Sequence, residues 1–219
     1  IRLTGKFISG MNAYVEKWDG PVSFMAEPDE SHHSGNLDDV WVDKDDLRFG
    51  AVVTPFGSEV AKKTLSSVNV VMGPPHPKMM FAPAYCKRER VGYVLATEYS
   101  LQTRNQIIDA DRLPSWRAWK RKLWEWRHEQ AVLNAVKQSA GLQCNGTPTY
   151  DAYRSLNNNT LLYFDSRVSG EMLPSRPRLD ASNAVWSPAR PIKLVFSGRL
   201  NAMKGADHLI KLARVLRER

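Results

Sequence analysis

A chain of 219 residues with 42% hydrophobic and 25% charged residues is long enough to bury a core and too apolar to be disordered throughout. Its 31 Lys and Arg outnumber 23 Asp and Glu for a formal charge of +8, which implies attraction to polyanions and leaves nucleic acid, anionic lipid and diphosphate substrates open. No apolar run reaches the roughly 20 residues of a spanning helix.

No signal-peptide pattern opens the chain, although its first residue is Ile1 rather than Met. Cys86 and Cys144 lie far apart without metal-ligand spacing. That usage suits free thiols in a reducing compartment, so a cytoplasmic protein is expected.

In chain order, β-type runs at residues 2–3, 22–25, 40–42, 51–53, 68–72, 91–96, 142–144, 161–164 and 193–196 alternate with helical stretches. The helical stretches fall at 11–18, 59–66, 78–86, 116–139, 148–156 and 206–216. This alternation predicts an α/β fold, a parallel sheet covered by helices, with ligands taken at the carboxyl ends of the strands.

Pro174, Pro177, Pro188 and Pro191 fall in one polar stretch and predict a linker over 174–191, because proline removes backbone donors and stops helices and central strands. The linker divides a first domain, 1–173, from a new strand-turn-helix unit at 192–219. In that unit Leu209, Leu212 and Leu216 recur at helical spacing. One such unit cannot form a sheet alone, so it reads as the opening of a truncated second domain.

The turn Gly198-Arg199-Leu200-Asn201-Ala202-Met203-Lys204-Gly205 sets a cationic pair between an apolar run and a helix. A strand end followed by a helix start offers free backbone amides to an anion, and Arg and Lys add charged contacts to a diphosphate. The segment from Lys193 to Leu216 resembles the opening of the donor domain in glycosyltransferase family four, matching it at Gly198, Arg199, Lys204 and Gly205.

The resemblance implies a Rossmann-like doubly wound parallel sheet of GT-B type. It also implies a nucleotide-sugar donor whose diphosphate is held by Gly198, Arg199 and Lys204, and a glycan or glycoconjugate acceptor. Gly10, in the run from Lys6 to Tyr14, is similar to that family's glycine loop before a helix, and the segment before residue 164 looks like its last acceptor-domain units. Retaining enzymes of that family need no side-chain nucleophile, so no catalytic residue is named; no metal and no cofactor is expected either. Lacking the rest of a donor domain, the chain as given is expected to be inactive, to bind nucleotide sugars weakly and to self-associate through its apolar tail.

Glu98 follows the run Gly92–Thr97 and is expected at the carboxyl edge of the sheet, with Gln102 and Arg104 in the same loop as acceptor or cleft residues. The acidic group Asp38, Asp39, Asp43, Asp45 and Asp46 contains an Asp-x-Asp, read as loop charge rather than a metal chelate, and His32-His33 reads as a loop pair.

Trp116, Trp119, Leu123 and Trp126 share one face of a helix that also carries Arg117, Lys120, Arg121, Lys122 and Arg127. A basic helix with an aromatic face fits peripheral membrane contact or nucleic acid. The simpler expectation is that the stripe packs into the core. Three functional readings result: a glycosyltransferase, a basic nucleic-acid-binding protein, and a catalytically silent GT-B fragment.

Overall fold

The computed structural model describes residues 1–29, 38–165, 170–184, 194–198 and 200–217. The described strands are β1 (Arg2–Thr4), β2 (Ser23–Ala26), β3 (Asp39–Trp41), β4 (Gly50–Val53), β5 (Val70–Gly73), β6 (Gly92–Thr97), β7 (Gly141–Asn145) and β8 (Thr160–Tyr163). The helices are α1 (Gly5–Lys17), α2 (Glu59–Ser66), α3 (Ala82–Arg88), α4 (Leu101–Ala110), α5 (Ser115–Gln138), α6 (Thr147–Tyr153), α7 (Arg176–Ala184) and α8 (Leu209–Arg217). β5 to β8 form one four-stranded sheet in sequential order, with parallel pairing along β5–β6 and β7–β8 and helices in the connections. The fold is α/β and Rossmann-like. β2 and β4 form a separate parallel pair, whereas β1 pairs antiparallel with β3 and stands outside the parallel sheet.

The chain divides into two compact units, residues 1–95 with 138–140, and residues 96–137 with 141–219. In the first unit, Thr4 caps α1 by accepting a hydrogen bond from the Phe7 amide at 3.1 Å. Phe7, Phe24 and Phe49 meet edge to face, with centroids 5.1 to 6.3 Å apart. Ser58 caps α2 in the same way through the Ala61 amide. Tyr93 and Leu95 of β6 are buried with Ala61, Leu65, Ala82 and Cys86. Burial pushes the Cys86 thiol up to about 11, so it stays protonated at neutral pH. In the second unit, Ile108, Val132, Val136, Leu142, Cys144 and Tyr153 are the buried core.

Several elements differ from the sequence reading. The expected glycine loop is helix: α1 starts at Gly5, and Gly10 sits mid-helix with nothing within 4 Å of an added Cβ. The Thr4 cap explains the early start. Gln102 and Arg104 lie in α4, not in a loop, because Ser100 supplies an N-cap to the Thr103 amide at 3.2 Å. In the expected linker, α7 spans Arg176–Ala184, with Pro177 in its first turn where a missing N–H goes unused. Residues 185–191 lie outside the described residues. Of the expected last strand, Leu194, Val195 and Phe196 are in no strand, and Lys193 is not described. No described strand pairs with them, and β propensity alone does not make a strand.

The chain leaves β7 and enters α6 through Gly146, at φ 85° and ψ 162°, a region only glycine adopts freely. An added Cβ would meet only the Pro148 Cδ, at an ordinary 3.6 Å, so the cost of a side chain is backbone strain and not crowding. Gly146→Ala is therefore expected to lower the free energy of unfolding by about 1–3 kcal/mol. Urea denaturation measures it, and an unchanged midpoint would contradict this reading of the turn.

Candidate functional site

In the second unit β6 ends at Thr97 and β7 at Asn145, and a helix begins within a few residues of each. Short strand-to-helix turns of this kind bring helix starts to the carboxyl edge of a sheet. Ser100, Leu101 and Gln102 at the start of α4, and Thr147, Pro148, Asp151 and Ala152 of α6, line a cleft of about 380 Å³. Among the described residues Glu129 of α5 is its one lining residue from a third element.

Glu129 is 6% exposed, so its carboxylate needs partners. Arg104 provides them. Its Nε donates to Glu125 Oε2 at 2.7 Å, its Nη2 to Glu129 Oε2, and its Nη1 to the Tyr99 carbonyl at 2.9 Å. The guanidinium fork thus ties the first turn of α4 to two successive turns of α5. Tyr153 of α6 donates its hydroxyl to Glu129 Oε2 at 3.2 Å. Burial, and then the Glu129 charge, push the Tyr153 phenol up to about 12, so it remains a donor at neutral pH. Burial alone would lower the Arg104 pKa; the hydrogen bond to Glu129 and the charges around it outweigh this and raise it.

The cleft therefore offers a partly satisfied buried carboxylate beside a hydroxyl, an amide and a second carboxylate. Among the described residues no cation lines it: Arg104, behind Glu129, has internal partners, and Arg154 stands 3.9 Å from Asp151 at its edge. Such a lining hydrogen-bonds neutral hydroxyl groups well and repels anions.

The expected site residues are dispersed. Glu98 is exposed, immediately after β6, and does not line the cleft. Gln102 does line it. Arg104 is a partner of Glu129 rather than an open cleft cation. Lys204 is exposed at the end of a 3-10 turn, Ala202–Lys204, whose start is capped by Asn201; Gly205 follows at φ 75°. Gly198 is exposed, while Arg199, like His32 and His33, lies outside the described residues.

Asp38 accepts from the Lys6 amide at the start of α1, and Asp39 pairs with Arg2 at 3.6 Å. Asp43 accepts from the Asp45 amide. Among the described residues, no three His, Cys, Asp or Glu converge as a metal site.

The sequence reading missed Glu125, Glu129 and Tyr153, and it misplaced the tryptophans. The buried residues of α5 are Glu129, Val132, Ala135 and Val136, all in its second half. Trp116, Trp119, Trp124 and Trp126 are 51–64% exposed, so the stripe is not core. The phase was available in the sequence. At about 100° per residue, Val132 and Val136 share a face with Glu125 and Glu129, and Trp116, Trp119 and Trp126 fall roughly 170°, 110° and 90° from its centre. Extending the apolar phase of the second half backwards would have turned the carboxylates inward.

Removing the Arg104 fork leaves two carboxylates largely out of water without their cation, since the Glu125 and Glu129 side chains are only 15% and 8% exposed. Arg104→Ala is expected to destabilise the protein by about 3–5 kcal/mol, the usual cost of breaking a buried pair from one side. Chemical denaturation checks it, and a loss under 1 kcal/mol would show the network to be well hydrated.

Comparison of the chain with family models, with curated proteins and with solved structures finds no match in any of the three.

Proposed function

We propose that the chain is the acceptor-side part of a GT-B-type glycosyltransferase, moving a sugar from a nucleotide-diphosphate donor to a hydroxyl of a glycan or glycoconjugate. One observation carries the reading: the cleft at the carboxyl ends of β6 and β7 is lined by groups that hydrogen-bond neutral hydroxyls. Glu129 and Asp151 accept, while Ser100, Gln102 and Thr147 both donate and accept. Leu101, Pro148 and Ala152 add apolar surface against which the carbon face of a sugar ring packs.

In this reading the cleft orients the acceptor, and orientation supplies much of the rate in a two-substrate transfer. The acceptor oxygen bonds to the anomeric carbon as the bond to the diphosphate breaks, and the acceptor's hydroxyl proton passes to the departing diphosphate oxygen. Lys204, with Arg199, would neutralise the charge that builds on the departing diphosphate. The likeness of the Gly198–Gly205 turn to family four supports this donor-side role, and the entry of Lys204-Gly205 into a helical segment ending in α8 is compatible with it. No side-chain nucleophile is required.

Saturation-transfer NMR of the 219-residue chain against a panel of hexoses and oligosaccharides tests the cleft. Contact with at least one is expected, and Gln102→Ala and Asp151→Ala should each weaken it by a few-fold, as loss of one hydrogen bond of about 0.5–1.5 kcal/mol implies. Absence of glycan contact across the panel, or contact indifferent to both substitutions, would contradict the proposal.

A further inference from the structure

The first half of α5 has no buried residue, yet it carries the densest aromatic content of the chain. Trp116, Trp119 and Trp126 are 57%, 64% and 54% exposed and recur at three- and seven-residue steps, so they form one outward stripe. A monomer facing only water gains nothing from half-exposed indoles in a row, and exposed apolar patches of this kind mark contact surfaces.

The charges beside the stripe narrow the partner. Arg121 and Lys122 pair with Asp111 and Asp109 at 2.8 and 2.6 Å. Glu125, the only acid between Ser115 and His128, is turned inward onto Arg104. Among the described residues no acidic partner stands against Arg117, Lys120 or Arg127. The outward face is therefore tryptophan and uncompensated cation together.

We propose that this half of α5 lies flat on an anionic lipid bilayer, with its tryptophans at headgroup depth and its cations on lipid phosphates. Indoles pair an apolar body with a polar N–H and favour that depth, and cations add attraction to anionic lipid. No described helix is long and apolar enough to cross a membrane, which agrees with surface contact but does not itself support it.

The ring geometry argues against nucleic acid. Arg117 and Lys120 sit over the Trp116 ring at 5.1 and 5.0 Å, and His128 stacks on Trp124 at 5.1 Å and 18°. Trp116 and Trp124, two of the four exposed rings of α5, thus already carry a partner over a face that base stacking would need open. A second copy docked face to face would oppose like charges, which disfavours a symmetric dimer there. The proposal stands independently of the glycosyltransferase reading.

Vesicle flotation with the 219-residue chain tests it, using phosphatidylcholine alone or mixed with phosphatidylglycerol, at low and high salt. Binding is expected on the anionic vesicles, weaker at high salt, with tryptophan emission quenched by lipids brominated near the headgroup. The triple variant Trp116→Ala, Trp119→Ala, Trp126→Ala should lose at least about tenfold in partitioning. The triple variant Arg117→Gln, Lys120→Gln, Arg127→Gln should lose the preference for anionic lipid.

All six side chains are exposed, so retained thermal unfolding should accompany both losses. Should a variant unfold, the brominated-lipid quenching of the unaltered chain still decides the matter. Absence of vesicle binding would overturn the proposal, as would binding unaffected by the tryptophan variant. So would loss of vesicle binding on Ile210→Ser with Leu212→Ser instead, which would move the contact to the exposed apolar residues of α8. Preferential binding of a polynucleotide, or a tryptophan-dependent dimer without lipid, would overturn it in favour of that partner.

Discussion

Arg104 reaches from α4 to both Glu125 and Glu129 of α5, and the rest of the second unit is arranged around that fork. A guanidinium flanked by two carboxylates has little net value as a source of stability, because three charges must leave most of their water. Its value is positional. The planar fork accepts only a narrow range of geometries, so it fixes the rotation of α5 about its own axis as well as its distance from α4. Tyr153 adds a third element by donating to the same Glu129 oxygen. A helix of 24 residues, about 36 Å long, is thereby held through one half and left to project its aromatic half outward.

Both proposed surfaces follow from this rotation. Turned inward, Glu129 brings a carboxylate to the floor of the cleft at the ends of β6 and β7, already oriented by Arg104 and Tyr153. Turned outward, Trp116, Trp119 and Trp126 face solvent beside cations whose acidic neighbour has been drawn away. The same pairing that supplies the cleft with an acceptor strips the opposite face of its counter-charge. Glycan chemistry and membrane contact would then be two consequences of one ionic contact, each testable without the other.

Much of this architecture was legible in the sequence. Alternating strand and helix runs located all eight described strands within a few residues, because their apolar runs are short and bounded by turn residues. Helix starts were less legible. Thr4 and Ser100 cap helices one turn or more before any apolar periodicity begins, so Gly10, Gln102 and Arg104 were assigned to loops. Within the proline-rich stretch α7 was not legible, because Pro177 stands in its first turn, where proline is tolerated. The apolar run at Leu194 has strand composition but no partner in the described structure.

The tryptophan stripe was misjudged for a different reason. The hydrophobicity of the indoles alone favours an inward face, whereas the buried phase of the second half of α5 runs through Glu125 and Glu129. Burial of a carboxylate costs free energy, so a sequence reading prefers to bury indole, yet a buried Arg partner reverses that preference. The partner lies 21 and 25 residues away in the chain, and its contact is invisible to any single-helix pattern.

The orientation of α5 is the claim on which the cleft and the aromatic face both rest, and thiol labelling measures it directly. Cys86 and Cys144 are both fully buried and serve as internal standards for a protected thiol. Trp119→Cys and Trp126→Cys should each react with a soluble thiol reagent at the rate of an exposed cysteine in the folded protein. Val136→Cys should be as protected as the native thiols until the chain unfolds. Protection of the cysteine at 119 and 126, with ready labelling at 136, would mean that α5 is turned the other way.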